Sequence, residues 1–142
     1  MAESPDNADS TPGQDPVRSI FVLAVDDDEL YLQYCQRILA RSHLHMDTAL
    51  GGLAAIEKVG AQSYDIILMD ITMLEMNGLE CLRKLHENGC KSEVIIVTGK
   101  SDLQTAVEAM KLGAADFVTK PFDAEALVSK IEELAIRSSR PL

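Results

Sequence analysis

The chain alternates five short apolar runs with five segments of helical apolar spacing, and this alternation limits the fold more than any other feature. These runs predict β-strands at residues 20–25, 65–69, 94–97 and 116–119, and a weaker strand at 46–49. Short connections and right-handed crossovers make such strands parallel, with helices covering both faces of the sheet. We therefore predict a single α/β domain with a doubly wound, five-stranded parallel sheet.

The segments between the strands predict amphipathic helices with recognisable ends. The second helix spans 53–59 and stops near Gly60, and the third spans 78–87 and closes at Asn88-Gly89. Ser101 or Asp102 caps the fourth helix, which Gly113 stops, and Asp123 caps the fifth. The predicted apolar faces of the first, third, fourth and fifth helices are, in turn, Leu30, Tyr34, Ile38 and Leu39; Leu79, Leu82 and Leu85; Leu103, Val107 and Met110; and Leu127, Ile131 and Leu134.

Composition excludes several classes of function. The net charge of −10 and pI near 4.6 argue against non-specific binding to DNA or to anionic membranes. No apolar run approaches the ~18 residues that span a bilayer, and the acidic N-terminus does not resemble a secretory signal. We predict a disordered acidic tail at 1–18, a domain at 19–138 and a C-terminal tail at 139–142. Three cysteines without C-x-x-C spacing, Cys35, Cys81 and Cys90, indicate reduced thiols in a cytoplasmic protein.

Polar side chains stand at the carboxyl ends of four predicted strands. Asp26 and Asp27 follow strand 1, and strands 3, 4 and 5 end at Asp70, Thr98 and Lys120 respectively. In an open parallel sheet these ends meet on one rim, where such folds place their sites. Clustered carboxylates repel one another unless a cation compensates them, and they suit a hard divalent ion such as Mg²⁺. An aspartate beside that ion can attack phosphorus, while a lysine neutralises the phosphoryl oxygens.

Each of these residues also has an ordinary structural explanation. Asp70 could cap a helix, Thr98 could cap the loop after it, and Lys120 could be a solvated surface cation. Asp26 and Asp27 could favour the start of the first helix, a role for which Asp28 is the better candidate. The joint placement of the required residue types at four strand ends favours the phosphoryl site.

The sequence resembles the receiver domain of two-component response regulators. The matching stretches lie within residues 18–138 and are Val25-Asp26-Asp27-Asp28, Met69-Asp70-Ile71-Thr72-Met73 with Gly78, Val97-Thr98-Gly99, and Asp116-Phe117-Val118-Thr119-Lys120-Pro121-Phe122. The resemblance implies a flavodoxin-like (βα)₅ fold with strand order 2-1-3-4-5. It also implies a signalling phosphoacceptor, which assists only its own phosphorylation and dephosphorylation, rather than an enzyme.

The same resemblance implies a role for each site residue. Asp70 would accept a phosphoryl group from a histidine kinase or a histidine phosphotransfer protein. Mg²⁺ would be held by Asp26, Asp27, Asp70 and the backbone carbonyl of Thr72. Thr98 and Lys120 would bind the phosphoryl oxygens, Phe117 would be the switch aromatic, and the Lys120–Pro121 bond would be cis. The surface formed by helix 4, strand 5 and helix 5 would bind a downstream protein or a second copy, without direct contact to nucleic acid or membrane.

Two departures from the family pattern concern the loops around this site. Leu74 stands where the family usually has proline, which we expect to leave the loop after Asp70 less rigid. Thr72 and Lys100 occupy the positions that tune the lifetime of the acyl phosphate in the family, and Lys100 could reach the phosphoryl group.

Other functions fit the sequence less well. One alternative is that the chain is the receiver of a longer transcriptional regulator or hybrid kinase. A flavodoxin-like cofactor protein is disfavoured because three aspartates after strand 1 would repel an anionic cofactor. Phosphatases of the haloacid dehalogenase type use an aspartate nucleophile in a D-x-D pattern. In this chain Thr72, not a second aspartate, stands two residues after Asp70, and there is no room for the usual cap domain. A non-phosphorylated pseudo-receiver typically lacks an acid or the lysine that this chain retains.

Overall fold

A computed structural model describes residues 19–99 and 103–137 of the chain. The strands are β1 (Ile20–Asp26), β2 (Leu44–Leu50), β3 (Ile66–Asp70), β4 (Glu93–Thr98) and β5 (Asp116–Thr119). The helices are α1 (Glu29–Ile38), α2 (Gly52–Ala61), α3 (Gly78–Glu87), α4 (Leu103–Lys111) and α5 (Ala124–Ala135). The predicted tails, the Ser101 or Asp102 cap and Lys100 lie outside the described residues.

The five strands form one parallel sheet in the order β2-β1-β3-β4-β5, as predicted. Alternate residues of the strands face two separate apolar cores. One core packs the sheet against α2, α3 and α4, and the other packs it against α1 and α5. The central strand β3 is buried along its whole length, which explains its continuous apolar sequence. Because all strands run the same way, their carboxyl ends form one rim.

Element ends agree with the sequence prediction except at a few positions. β2 begins at Leu44 rather than Met46, and Gly60 lies inside α2, which continues to Ala61. Asp65 precedes β3 rather than starting it, and its buried carboxylate accepts the Phe21 N–H at 2.9 Å. The Asp123 cap is confirmed because its carboxylate accepts the Ala126 N–H at 2.9 Å.

The predicted apolar faces of α1 and α4 are partly wrong. Leu30 and Tyr34 are exposed, whereas Leu39 is buried as predicted, and α1 also buries Leu32 and Cys35. In α4, the predicted apolar face of Leu103, Val107 and Met110 is exposed, and the helix meets the sheet through Ala106 and Ala109. Small side chains let a helix approach the sheet closely, so the larger apolar residues of α4 lie on its outer face.

The remaining chain-wide expectations concern cysteines and membranes. Cys35, Cys81 and Cys90 are free thiols, the first two buried. Among the described residues, no helix is both long enough and apolar enough to cross a bilayer.

Candidate functional site

The site is built on the carboxyl rim of the sheet, where β1 and β3 lie side by side. Asp26 is the last residue of β1 and Asp70 the last residue of β3. Both carboxylates are nearly buried, with side-chain exposures of 4% and 11%. The helix that follows, α3, is capped by Asn77, so Asp70 is not its cap. Asp27 is exposed, and one oxygen from each of the three carboxylates lies within 4.8 Å of the other two.

The three consecutive aspartates have different local roles. Asp26 Oδ1 accepts the Asp28 N–H at 3.0 Å, which turns the chain out of the strand. Asp28 is the N-cap of α1, and its Oδ1 accepts the N–H groups of Leu30 and Tyr31 at 3.1 and 3.2 Å. The expectation that Asp28 starts the helix is thus confirmed.

Lys120 brings positive charge to the two buried carboxylates. Its Nζ lies 3.3 Å from Asp26 Oδ2 and 3.6 Å from Asp70 Oδ1. The residue follows β5, and its backbone N–H donates to the Thr98 carbonyl at 2.8 Å. The Lys120–Pro121 peptide bond is cis, as the resemblance implies. A paired, half-buried ammonium is not the solvated surface cation of the ordinary explanation.

One ammonium does not compensate the burial of two carboxylates. Burial, followed by the charge of Asp26, raises the pKa of Asp70 to about 6, although Lys120 opposes this. Burial also raises the pKa of Asp26, and again Lys120 acts in the opposite direction. When all three acids are ionised, the pocket therefore carries more negative charge than the single Lys120 ammonium can neutralise.

The donor set fits a hard divalent cation. The three carboxylates lie close together, and two of them are shielded from water. Hard ions such as Mg²⁺ bind carboxylate oxygens, whereas soft metals bind sulfur. Thr72, whose carbonyl is the fourth predicted ligand, is an exposed residue two positions beyond Asp70. The residues present therefore fit Mg²⁺ by charge, donor type and spacing.

The loop after Asp70 is held against the site by two close contacts. Gly78 starts α3, and a Cβ there would lie 2.7 Å from the Asp70 carbonyl oxygen, so only glycine fits. The Leu74 N–H donates to Asp27 Oδ2 at 2.9 Å, while its side chain is 91% exposed. Proline has no N–H, so the departure from the family residue is what allows this bond. The bond ties the loop to Asp27 and opposes the loosening that we expected from losing proline.

Thr98 and Phe117 complete the predicted residues on the β4 and β5 side. Thr98 ends β4 and is fully buried, and its hydroxyl donates to the Gly99 carbonyl at 3.2 Å. Phe117 lies in β5, partly buried, and packs against the core beneath α2, α3 and α4. The two residues stand on adjacent strands, where Thr98 pairs in register with Thr119.

Sequence reasoning missed one residue that touches the site. Tyr31, in the first turn of α1, places its ring 4.1 Å from Lys120 Nζ, measured to the ring centroid. Burial raises the pKa of the Tyr31 phenol, and neighbouring Cys35 adds to the effect. Its position three residues after the Asp28 cap was visible in the sequence, but no motif connects it with the distant Lys120.

Comparison with known proteins identifies the family. The model described as "Response regulator receiver domain" matches residues 22–132. The chain belongs to the response regulator receiver family. Its receiver is 31% identical over 121 residues to the transcriptional regulatory protein CutR of Streptomyces coelicolor, a match that covers 85% of this chain and 56% of CutR. It is 38% identical over 112 residues to the transcriptional regulatory protein ZraR of Klebsiella oxytoca, covering 79% of this chain and 25% of ZraR.

Solved structures agree with the receiver assignment. Full-length FixJ from B. japonicum superposes with a TM-score of 0.79 at 29% identity, over 87% of this chain and 61% of that chain. The receiver spans about half the length of CutR and a quarter of ZraR. The 2-1-3-4-5 fold and membership of a two-component signalling family are therefore shown.

Proposed function

We propose that this receiver accepts a phosphoryl group on Asp70 from the phosphohistidine of a histidine kinase or phosphotransfer protein. One observation carries the proposal: the carboxylates of Asp26, Asp27 and Asp70 cluster within 4.8 Å, and Lys120 Nζ lies 3.6 Å from Asp70 Oδ1. This set supplies a nucleophile, a divalent-cation site and a fixed positive charge in one pocket.

The proposed reaction transfers the phosphoryl group between two residues. A carboxylate oxygen of Asp70 attacks phosphorus as the bond from phosphorus to the donor imidazole nitrogen breaks. The imidazole leaves with the electron pair of that bond, and Asp70 becomes an acyl phosphate. The raised pKa of Asp70, about 6, still leaves most of the carboxylate ionised and nucleophilic at neutral pH.

The surrounding residues would stabilise the charge that the reaction develops. Asp26, Asp27, Asp70 and the Thr72 carbonyl would hold Mg²⁺, which when bound neutralises charge on the phosphoryl oxygens. The Lys120 ammonium would pair with those oxygens in place of Asp70 Oδ1. The Thr98 hydroxyl would donate to them after leaving the Gly99 carbonyl.

The switch would carry this local change to a partner surface. Phosphorylation adds about −1.5 to −2 charges, which draws Thr98 toward the site and opens space for Phe117. Both residues lie next to the surface made by α4, β5 and α5, where Leu103, Val107 and Met110 are exposed. We expect this surface to bind a downstream protein or a second copy in its switched form.

Intact-protein mass spectrometry after incubation with acetyl phosphate tests the proposal. The protein should gain the mass of one phosphoryl group with Mg²⁺ present, and none after chelation with EDTA. Asp70→Asn should gain none. Glu57→Gln, which changes an exposed acid on α2, should behave as wild type. Modification without Mg²⁺, or modification that persists in Asp70→Asn, would refute the proposal.

A further inference from the structure

The position of Lys120 needs an explanation beyond its ion pairs. A lysine side chain has four rotatable bonds, and holding its ammonium in one place costs conformational entropy. Lys120 is also 31% exposed, so water competes with the two carboxylates for its N–H donors. Its two ion-pair distances, 3.3 and 3.6 Å, are longer than the best charge-assisted hydrogen bonds. Carboxylates alone therefore hold the ammonium only loosely.

The Tyr31 ring occupies another side of this ammonium. The 4.1 Å between Lys120 Nζ and the ring centroid is well within the range of cation–π attraction. The attraction acts on the same cation that Asp26 and Asp70 share, and the partial burial of the site strengthens it. The Tyr31 ring of α1 and the carboxylates of β1 and β3 thus surround the ammonium of Lys120, which follows β5.

The Tyr31 ring is itself fixed by the local structure. Its backbone N–H donates to the Asp28 cap, which places the residue in the first turn of α1. Its hydroxyl is buried, next to Cys35, and has no well-directed hydrogen bond among the described residues. A buried hydroxyl without a partner is a cost rather than a benefit, so the ring is the part of Tyr31 that contributes.

We propose that Tyr31 is a positioning residue for Lys120, whose ring holds the ammonium against Asp26 and Asp70. The role of the held lysine in phosphoryl transfer rests on the proposed function, but the contact itself does not. The proposal separates ring from hydroxyl: phenylalanine at position 31 should replace tyrosine without loss, whereas leucine should not.

The contact is tested without any phosphorylation by NMR of the lysine side chains. Protons on Lys120 Cε should resonate upfield of those of exposed lysines, because the Nζ atom bonded to Cε lies over the Tyr31 ring. Tyr31→Phe should keep this shift and Tyr31→Leu should abolish it. Tyr34→Leu is the matched control, since it removes a neighbouring ring of α1 whose cation–π partner is Arg37 rather than Lys120. An ordinary Lys120 shift in the wild-type protein would overturn the proposal.

The consequence is tested by the rate of phosphorylation with acetyl phosphate and Mg²⁺. Tyr31→Leu should be slower by about 3- to 30-fold, the range of a cation–π contact, and Tyr31→Phe should restore the wild-type rate. A wild-type rate in Tyr31→Leu, or an equal loss in Tyr31→Phe, would contradict the positioning role. If the wild-type protein accepts no phosphate, the proposed function fails, while the Lys120 shift still decides whether Tyr31 holds the ammonium.

Discussion

At the scale of single residues, the site holds ionised carboxylates whose burial is energetically unfavourable. Asp26 and Asp70 are carboxylates removed from water, and Lys120 is their shared ion-pair partner among the described residues. Burial of ionised groups is favourable only when their charge is fully compensated. In the metal-free protein, the burial of ionised Asp70 therefore costs folding stability.

The pKa of Asp70 predicts how stability depends on pH. Its folded-state pKa of about 6 exceeds the ordinary aspartate value of 3.8, so the folded protein binds more protons than the unfolded chain between these values. The cost of ionised Asp70 is complete above pH 6 and disappears as the pH falls toward 4. Asp70→Asn should thus raise the free energy of unfolding by up to about 3 kcal/mol at pH 7.5 in EDTA, and by little at pH 4.

Urea unfolding of wild type and Asp70→Asn at both pH values measures this difference. Glu57→Gln is the control, because it removes an exposed acid and should change stability little at either pH. An Asp70→Asn protein that is no more stable than wild type at pH 7.5 would show that burial of Asp70 is not costly.

At the scale of helices and strands, the apolar runs predicted the strands and the family resemblance predicted their order, whereas helix orientation was not predictable. The strands could be predicted because continuous apolar runs in β1, β3 and β4 have few alternatives in a parallel sheet. The outward faces of α1 and α4 could not, because Leu30, Tyr34 and Val107 have the same apolar character as core residues. Packing of Ala106 and Ala109 against the sheet depends on close approach, which hydrophobic spacing does not encode.

The switch that we propose, from Thr98 in β4 to the α4–β5–α5 surface, predicts that ligand binding and the change at that surface can be separated by mutation. Thr98→Ala should still bind beryllofluoride with Mg²⁺, because Asp70 and its acidic neighbours are unchanged. Amide NMR should then show shifts around residues 26–28 and 70–74, as in wild type. The further shifts that wild type shows in α4 and β5 should be weak in Thr98→Ala, because the hydroxyl that follows the phosphoryl analogue is missing.

Thr48→Ala in β2 is the matched control, since it removes the same groups from a strand that does not touch β4. It should retain the full pattern of shifts. Undiminished shifts of α4 and β5 in Thr98→Ala would mean that the switch does not pass through Thr98.

At the scale of the whole molecule, the site follows from topology. A parallel sheet brings the ends of β1, β3, β4 and β5 to one rim, so five residues from four strand ends that are far apart in sequence could be predicted to converge. The Tyr31 contact with Lys120 and the Leu74 N–H bond to Asp27 could not be predicted. They depend on a side-chain direction and on one backbone donor, and neither leaves a sequence pattern.

A cation that binds only the folded protein should stabilise the whole domain. Mg²⁺ should raise the free energy of unfolding by about 1.4 kcal/mol for each tenfold excess over its Kd. In Asp26→Asn/Asp27→Asn this increment should be lost, even if neutralising Asp26 raises the metal-free stability. Thermal unfolding with MgCl₂, compared with NaCl of equal ionic strength, measures the increment. An equal increment in wild type and variant would indicate general screening instead of a bound ion.

The most direct test of the account is the chemical identity of the phosphorylated residue. After reaction with acetyl phosphate and Mg²⁺, borohydride reduction converts an aspartyl phosphate to homoserine, which peptide mass spectrometry locates. We predict homoserine at position 70 alone, although Asp26, Asp27 and Asp28 lie nearby. Homoserine at one of those residues, or its absence from the whole chain, would contradict the assignment of Asp70 as the phosphoryl acceptor.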